Sequence, residues 1–170
     1  LRKNTISTLN LIKFGIKNKV KKLLYASSMS VYGDFDCTKN GVKEESYLKP
    51  KSCYGIGKLT SEQYLNVFKD ELPYVSLRMF NVYGPGQDLF NEKQGMVSIY
   101  LASLIKKNKI VVKGSINRFR DLIYIDDVVH IWVEALKNKK MFNKIINLGT
   151  GQKTKVSTIL KILQKLHNKK

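Results

Sequence analysis

The apolar residues of this chain switch period repeatedly, and that switching constrains the fold more than any other feature. Ile6, Leu9, Ile12 and Ile16 recur at helical spacing over residues 4–16. Val20, Leu23, Leu24, Tyr25 and Ala26 then form a short apolar run ending in small residues, the pattern of a buried parallel strand. Farther along, the pattern predicts a helix over 53–69 capped by Ser52 and a strand over 74–80 entered through Pro73. Residues 81–95, rich in Gly, Asn, Asp and Pro, read as a long functional loop. Helices are expected over Met96–Lys107, 126–137 and 156–166, and strands over 109–113, 122–125 and Lys144–Leu148. Alternating helices and buried strands mean an α/β fold with a parallel sheet. Ligands of such sheets sit beyond the carboxyl ends of the strands, which directs attention to residues 27–33, 81–87 and the segment near Arg120.

Composition removes several classes of function. The 170 residues are 43% apolar and 26% charged, ordinary for a globular domain, and no apolar run approaches the ~18 residues of a membrane span. Residues 1–30 lack the pattern of a signal peptide, and the opening on Leu1 suggests part of a longer protein. Cys37 and Cys53 are isolated, so neither a zinc module nor a disulfide scaffold is expected, no metal is implied, and a reducing cytoplasm suits the chain. The net charge of +18 comes from 31 basic residues of which only four are arginine, with the lysines spread from Lys3 to Lys170. Nucleic-acid readers gather arginines and aromatics in a stripe, so a nucleic-acid partner is not expected. His130 and His167 fall in predicted helices and read as structural or solvent-facing.

The chemistry-bearing residues lie at the strand ends. The first strand runs into Ser27-Ser28-Met29-Ser30-Val31-Tyr32-Gly33, where hydroxyls can bond a reacting oxygen or simply form a turn. Tyr54 and Lys58 are four apart, on one face of a helix, where an ammonium can favour the phenolate of a proton-accepting tyrosine. About 1.4 such Tyr-x-x-x-Lys pairs arise by chance in this composition. The other pair, Tyr47 and Lys51, encloses Pro50, which disfavours a helix there. Asp126 and Asp127 read as helix-start residues rather than general acids, and Arg118 as an unpaired surface arginine.

Order along the chain adds what each motif lacks alone. The strand ending at Ser28, the helix with Tyr54 and Lys58, the string Leu77-Arg78-Met79-Phe80-Asn81-Val82-Tyr83-Gly84-Pro85-Gly86-Gln87, and Arg120-Asp121-Leu122-Ile123-Tyr124-Ile125-Asp126-Asp127-Val128 follow in that sequence. Together with Asn147-Leu148-Gly149-Thr150-Gly151 they resemble the NAD-dependent nucleotide-sugar epimerase/dehydratase family, the extended short-chain dehydrogenases/reductases. The resemblance implies a partial Rossmann-like parallel sheet with helices on both faces, plus part of a small C-terminal substrate-binding domain. Residues 1–88 would be the later half of the NAD-binding domain, and 89–170 the substrate-binding portion interleaved with its last elements.

Carried over by position, the resemblance makes Ser28, Tyr54 and Lys58 the catalytic triad and NAD the cofactor. Asn4 and Phe80 would line the cofactor site with the triad, and Asn81, Gln94, Val97 and Arg120 would bind a nucleotide-sugar, a UDP-sugar being favoured. A homodimer is implied for the full-length protein. The family opens on a Gly-rich turn that cradles the pyrophosphate, and no G-x-G-x-x-G occurs here. The chain is therefore expected to lack the adenosine half of the site and to bind NAD weakly by itself. Missing central strands would leave Leu23, Leu24, Val75 and Leu77 poorly covered. Family members that eliminate water carry acidic residues where Met29 and Ser30 stand, so 4-epimerisation is favoured over 4,6-dehydration or reduction. A catalytically silent fragment and a basic nucleic-acid-binding protein are the readings from other classes.

Overall fold

The computed structural model describes residues 2–34, 41–91 and 95–168. It divides into two compact units, Leu1–Phe80 with Val129–Leu148, and Asn81–Val128 with Gly149–Lys170.

In the first unit a π-helical turn, Arg2–Ile6, leads into helix α1 (Ser7–Lys17), followed by strand β1 (Leu23–Ser28). A short 3-10 turn, Met29–Val31, follows β1. Helix α2 (Cys53–Val67) starts where Ser52, in extended conformation, accepts the Gly55 N–H at 3.0 Å. Strand β2 (Tyr74–Met79) follows Pro73 and pairs in parallel with β1, Leu23 opposite Tyr74 through Ser28 opposite Met79. Its other edge pairs in parallel with Lys144–Leu148, which becomes β6 in chain order. The sheet order is therefore β1-β2-β6, the parallel α/β arrangement the alternating pattern predicts. Ile12 of α1 and Leu65 of α2 pack with Leu72 and Tyr74 in one cluster, each at most 2% exposed.

That order corrects one expectation. Val75 and Leu77 lie on the middle strand and are fully buried, because β6 covers the edge that β1 does not. Leu23 and Leu24, on the outer strand, are half-buried.

The second unit opens with β3 (Asn81–Tyr83), inside the stretch expected to be loop, paired in parallel with β5 (Leu122–Tyr124). Helix α3 (Met96–Lys107) ends at Asn108, whose φ of 49° stops it. Tyr100 and Leu104 of α3 pack against Val156, Ile159 and Leu163 of α5 (Val156–His167). Residues 109–113 are not a strand. The Ser103 hydroxyl and the Arg118 guanidinium take the Lys109 and Lys113 carbonyls at 2.6 Å each, while Ile110 and Val112 pack on the α3–α5 core. Two short antiparallel strands, β4 (Phe119–Arg120) and β7 (Thr154–Lys155), complete the unit. Helix α4 (Ile125–Lys137) carries Asp126 and Asp127 in its first turn. Among the described residues no helix is long and apolar enough to cross a membrane.

Candidate active site

Ser28 closes β1, and its hydroxyl is held by the turn that follows. It accepts the Ser30 N–H at 3.2 Å and donates to the Ser30 hydroxyl at 3.1 Å. Across from this turn comes the first turn of α2. A Cβ on Gly55 would lie 2.5 Å from the Ser30 carbonyl oxygen, so only a glycine lets the helix come this close. Tyr54, next to that glycine, is half-exposed.

One helical turn on, Lys58 reaches back to the sheet. Its Nζ donates to the Ala26 carbonyl of β1 at 2.6 Å, two residues before Ser28. The ammonium sits 5.0 Å from the Tyr25 ring centroid and 5.5 Å from that of Tyr54, within cation–π range of both. Burial pushes the Lys58 pKa below the ordinary lysine value of 10.5. A hydroxyl, a phenol and an ammonium thus stand on β1 and the facing turns of α2. This donor set can hydrogen-bond a hydroxyl-bearing ligand and can move one proton.

The other residues singled out by sequence take these places. Asn4 lies against α2, its side chain 3.3 Å from where a Gly57 Cβ would be, and its carbonyl accepts the Thr8 hydroxyl at 2.7 Å. Phe80 is half-buried just beyond β2, its N–H donating to the Leu148 carbonyl at 3.0 Å. In the second unit, the Asn81 N–H and side-chain amide both donate to the Asp121 carbonyl, at 3.1 and 2.9 Å. Arg120, next in chain to Asp121, donates to the Phe119 carbonyl at 2.7 Å. Val97 is half-buried in the first turn of α3. Gln94 lies outside the described residues. Arg118 is not an unpaired arginine, since it bonds the Lys113 carbonyl and, at 3.1 Å, the Tyr100 hydroxyl. His130 is exposed, and His167 pairs with Asn108 at 2.9 Å.

Two features escaped the sequence reading. The Asp121 carboxylate accepts the Thr150 and Gly151 N–H groups at 2.9 and 2.8 Å and the Thr150 hydroxyl at 2.8 Å, so it fixes the Gly149-Thr150-Gly151 turn. In the first unit, Glu62 and Arg78 form an ion pair with side chains at most 2% exposed. Burial disfavours the guanidinium's charge, but its bonds to Glu62 and Tyr32 outweigh that and hold its pKa above the usual value. The available signal was an arginine within the apolar run of β2, which demands a buried counter-charge. Glu62 sits four residues after Lys58, on the same helix face.

Comparison with known proteins gives a concordant result. Residues 1–149 match the model of the NAD dependent epimerase/dehydratase family. A putative UDP-glucose 4-epimerase of Methanocaldococcus jannaschii is 32% identical over 164 residues, covering 95% of this chain and 52% of that protein. A dTDP-4-dehydro-6-deoxyglucose reductase of Escherichia coli is 33% identical, covering 91% and 48% respectively. The structure of the UDP-glucose 4-epimerase of Thermotoga maritima with UDP-glucose superposes with a TM-score of 0.85 at 34% identity, covering 97% of this chain and 53% of that one. The chain spans about half the length of these relatives.

Proposed function

Because the chain belongs to the NAD dependent epimerase/dehydratase family, we propose that its protein is an NAD-dependent nucleotide-sugar 4-epimerase acting on a UDP-hexose. The observation that carries this reading is the Lys58 ammonium, bonded to the end of β1 and flanked by the Tyr54 ring. In this reading Tyr54 takes the proton of the sugar C4 hydroxyl as general base and returns it to the C4 oxygen after the 4-keto sugar has turned over. Ser28 turns its hydroxyl from Ser30 to the same sugar oxygen and shares its charge. Lys58 keeps a positive charge beside the phenol and bonds the nicotinamide ribose. Bound NAD would supply the reversible hydride chemistry at C4.

The donor set of Ser28, Tyr54 and Lys58 fits the nicotinamide-ribose half of NAD, with Asn4 and Phe80 assigned to its walls. The 170 residues hold no G-x-G-x-x-G turn for the pyrophosphate, so the adenosine half is not assigned to this chain. In the second unit Asn81 and Arg120 are assigned to the nucleotide diphosphate, where a guanidinium fork suits phosphate oxygens, and Val97 to the base. Exposed Leu11 and Phe14 on α1 and Ile56 and Val67 on α2 support a homodimer, since such apolar faces favour burial against a second copy.

Met29 and Ser30 offer no carboxylate after Ser28, which favours epimerisation over loss of water. The Escherichia coli relative, named for a reduction, supports a second reading as a 4-keto-sugar reductase. The test is turnover of the whole protein on UDP-glucose, read as UDP-galactose by chromatography. Tyr54→Phe is expected to lower the rate by about 100-fold, the size of a general acid–base contribution. Near-normal turnover in that variant would refute the role given to Tyr54.

A further inference from the structure

The Glu62–Arg78 pair is absorbed by none of the chemistry above, yet it is among the most buried features of the chain. Glu62 and Arg78 are each 1% exposed. The guanidinium grips the carboxylate through Nε at 3.0 Å and Nη2 at 2.7 Å. The same carboxylate accepts the Ser27 hydroxyl at 2.6 Å and the Ser76 hydroxyl at 3.3 Å. On its far side Arg78 donates to the Tyr32 hydroxyl at 2.8 Å and the Glu44 carbonyl at 3.0 Å, and the Tyr32 hydroxyl donates to Asn147 at 2.6 Å. One network therefore holds β1, the segment after its 3-10 turn, α2, β2 and β6.

Its placement relative to the catalytic trio is specific. Ser27 directly precedes Ser28, and Glu62 lies one helical turn beyond Lys58, which lies one turn beyond Tyr54. The bond from Ser27 to Glu62 thus spans from the strand bearing Ser28 to the helix bearing the other two, parallel to the bond from Lys58 to Ala26. Stability alone is a poor account of such a pair. Desolvating two charges costs several kcal/mol per ion, and replacing a buried pair by apolar residues of similar volume is often neutral or stabilising. What apolar packing does not supply is direction. A bidentate guanidinium–carboxylate fork fixes distance and orientation where interchangeable methyl groups would tolerate sliding.

We infer that Glu62 and Arg78 are positioning residues for the proposed reaction: the pair, through Ser27, sets the separation of Ser28 on β1 from Tyr54 and Lys58 on α2. This rests on the roles given to those three residues under Proposed function. The pair touches neither the sugar nor the cofactor in this account, and acts by holding the two backbones in register.

The test is made in the whole protein with two variants. In the first, Ser27→Ala, Ser76→Ala, Glu62→Leu and Arg78→Met are combined, so that the carboxylate, the guanidinium and both serine hydroxyls leave together. The second, Ser27→Ala alone, removes only the link beside Ser28 and keeps the ion pair, so it reports even if the first fails to fold. Melting temperature, kcat and KM on UDP-glucose are measured. So is the 13C-edited NMR signal of the Lys58 Hε protons, assigned by its disappearance in Lys58→Arg. With the ammonium over the Tyr25 and Tyr54 rings, at 5.0 and 5.5 Å from their centroids, those protons are expected to resonate upfield of the other lysines. In the first variant the expected result is a folded protein, its melting temperature lowered only by loss of the Arg78 bonds to Tyr32 and Glu44, with kcat lower by about 100-fold, KM little changed, and collapse of the upfield shift. Ser27→Ala is expected to lower kcat by about 10-fold and reduce the shift partway. Wild-type kcat and an intact Lys58 shift in either folded variant would overturn the inference, as would a fall in kcat with that shift unmoved. If the wild-type protein shows no turnover, the functional reading fails by itself, and the Lys58 signal still decides whether the pair holds α2 to β1.

Discussion

Gly55 and Gly57, two glycines in one turn of α2, separate a backbone constraint from ordinary helix propensity. Gly55→Ala places a Cβ 2.5 Å from the Ser30 carbonyl oxygen, with the Pro50 Cβ at 3.0 Å closing the other side. A carbon–oxygen contact of about 3.3–3.6 Å is comfortable, so helix and turn must part by about 0.8–1.1 Å. Neither obstacle is the far end of a long side chain. Overpacking of this kind costs about 1–3 kcal/mol, against which Gly→Ala in a helix returns about 1 kcal/mol. Gly57→Ala meets only the Asn4 side chain, at 3.3 and 3.4 Å, which can move by a few tenths of an ångström, so it keeps the propensity gain. Gly55→Ala is therefore expected to be less stable than Gly57→Ala by about 1–3 kcal/mol, read as a lower melting temperature. The forced separation falls between Tyr54 and the turn after Ser28, and a displacement near 1 Å costs about 100-fold in turnover. The assays are circular-dichroism melting and turnover on UDP-glucose, run side by side. Equal melting temperatures for the two variants, or wild-type turnover in Gly55→Ala, would refute the reasoning.

Two further outcomes follow from the same geometry. Burial lowers the Lys58 pKa, so between that value and 10.5 the unfolded chain binds more protons than the folded one, and stability rises with pH across that window. The melting temperature of wild type relative to Lys58→Met should accordingly rise from pH 7 to pH 10, with activity lost in the variant; a difference that is flat or falls with pH contradicts the assignment. Asp121→Ala strips three bonds from the turn at Thr150 and Gly151, and is expected to cost about 1–3 kcal/mol in thermal unfolding and to raise KM for the nucleotide-sugar more than it lowers kcat. A fall in kcat alone would contradict that placement.

The legibility of these features in the sequence follows their physics. Helix α2 could be read because Ser52 caps it and Pro50 bars its extension upstream, and β1 and β2 because their runs are continuous and apolar. The short strands β4 and β7 span two residues each, too few to show a period. Residues 109–113 have a strand's composition, but their carbonyls are claimed by Ser103 and Arg118 instead of a neighbouring strand. Coverage of Val75 and Leu77 depended on strand order, which no local pattern encodes. Tyr54 and Lys58 share a helix, so their spacing alone puts them together. Glu62 and Arg78 are joined only by the tertiary fold, as are Asp121 and Thr150. The setting of Arg78 in an apolar run signals a buried partner but does not say which residue it is, and Glu62, Asp121 and Thr150 look in sequence like solvated polar residues.

The central claim is that this site oxidises and re-reduces a single sugar carbon, C4, with Tyr54 handling the proton. Its most direct test follows UDP-glucose carrying deuterium at C4 through the whole protein with NAD, with products resolved by mass spectrometry and NMR. The account predicts UDP-galactose that keeps its deuterium at C4, formed by wild type and about 100-fold more slowly by Tyr54→Phe. Loss of the C4 deuterium to solvent, or a 4-keto-6-deoxy product that has shed water, would contradict it.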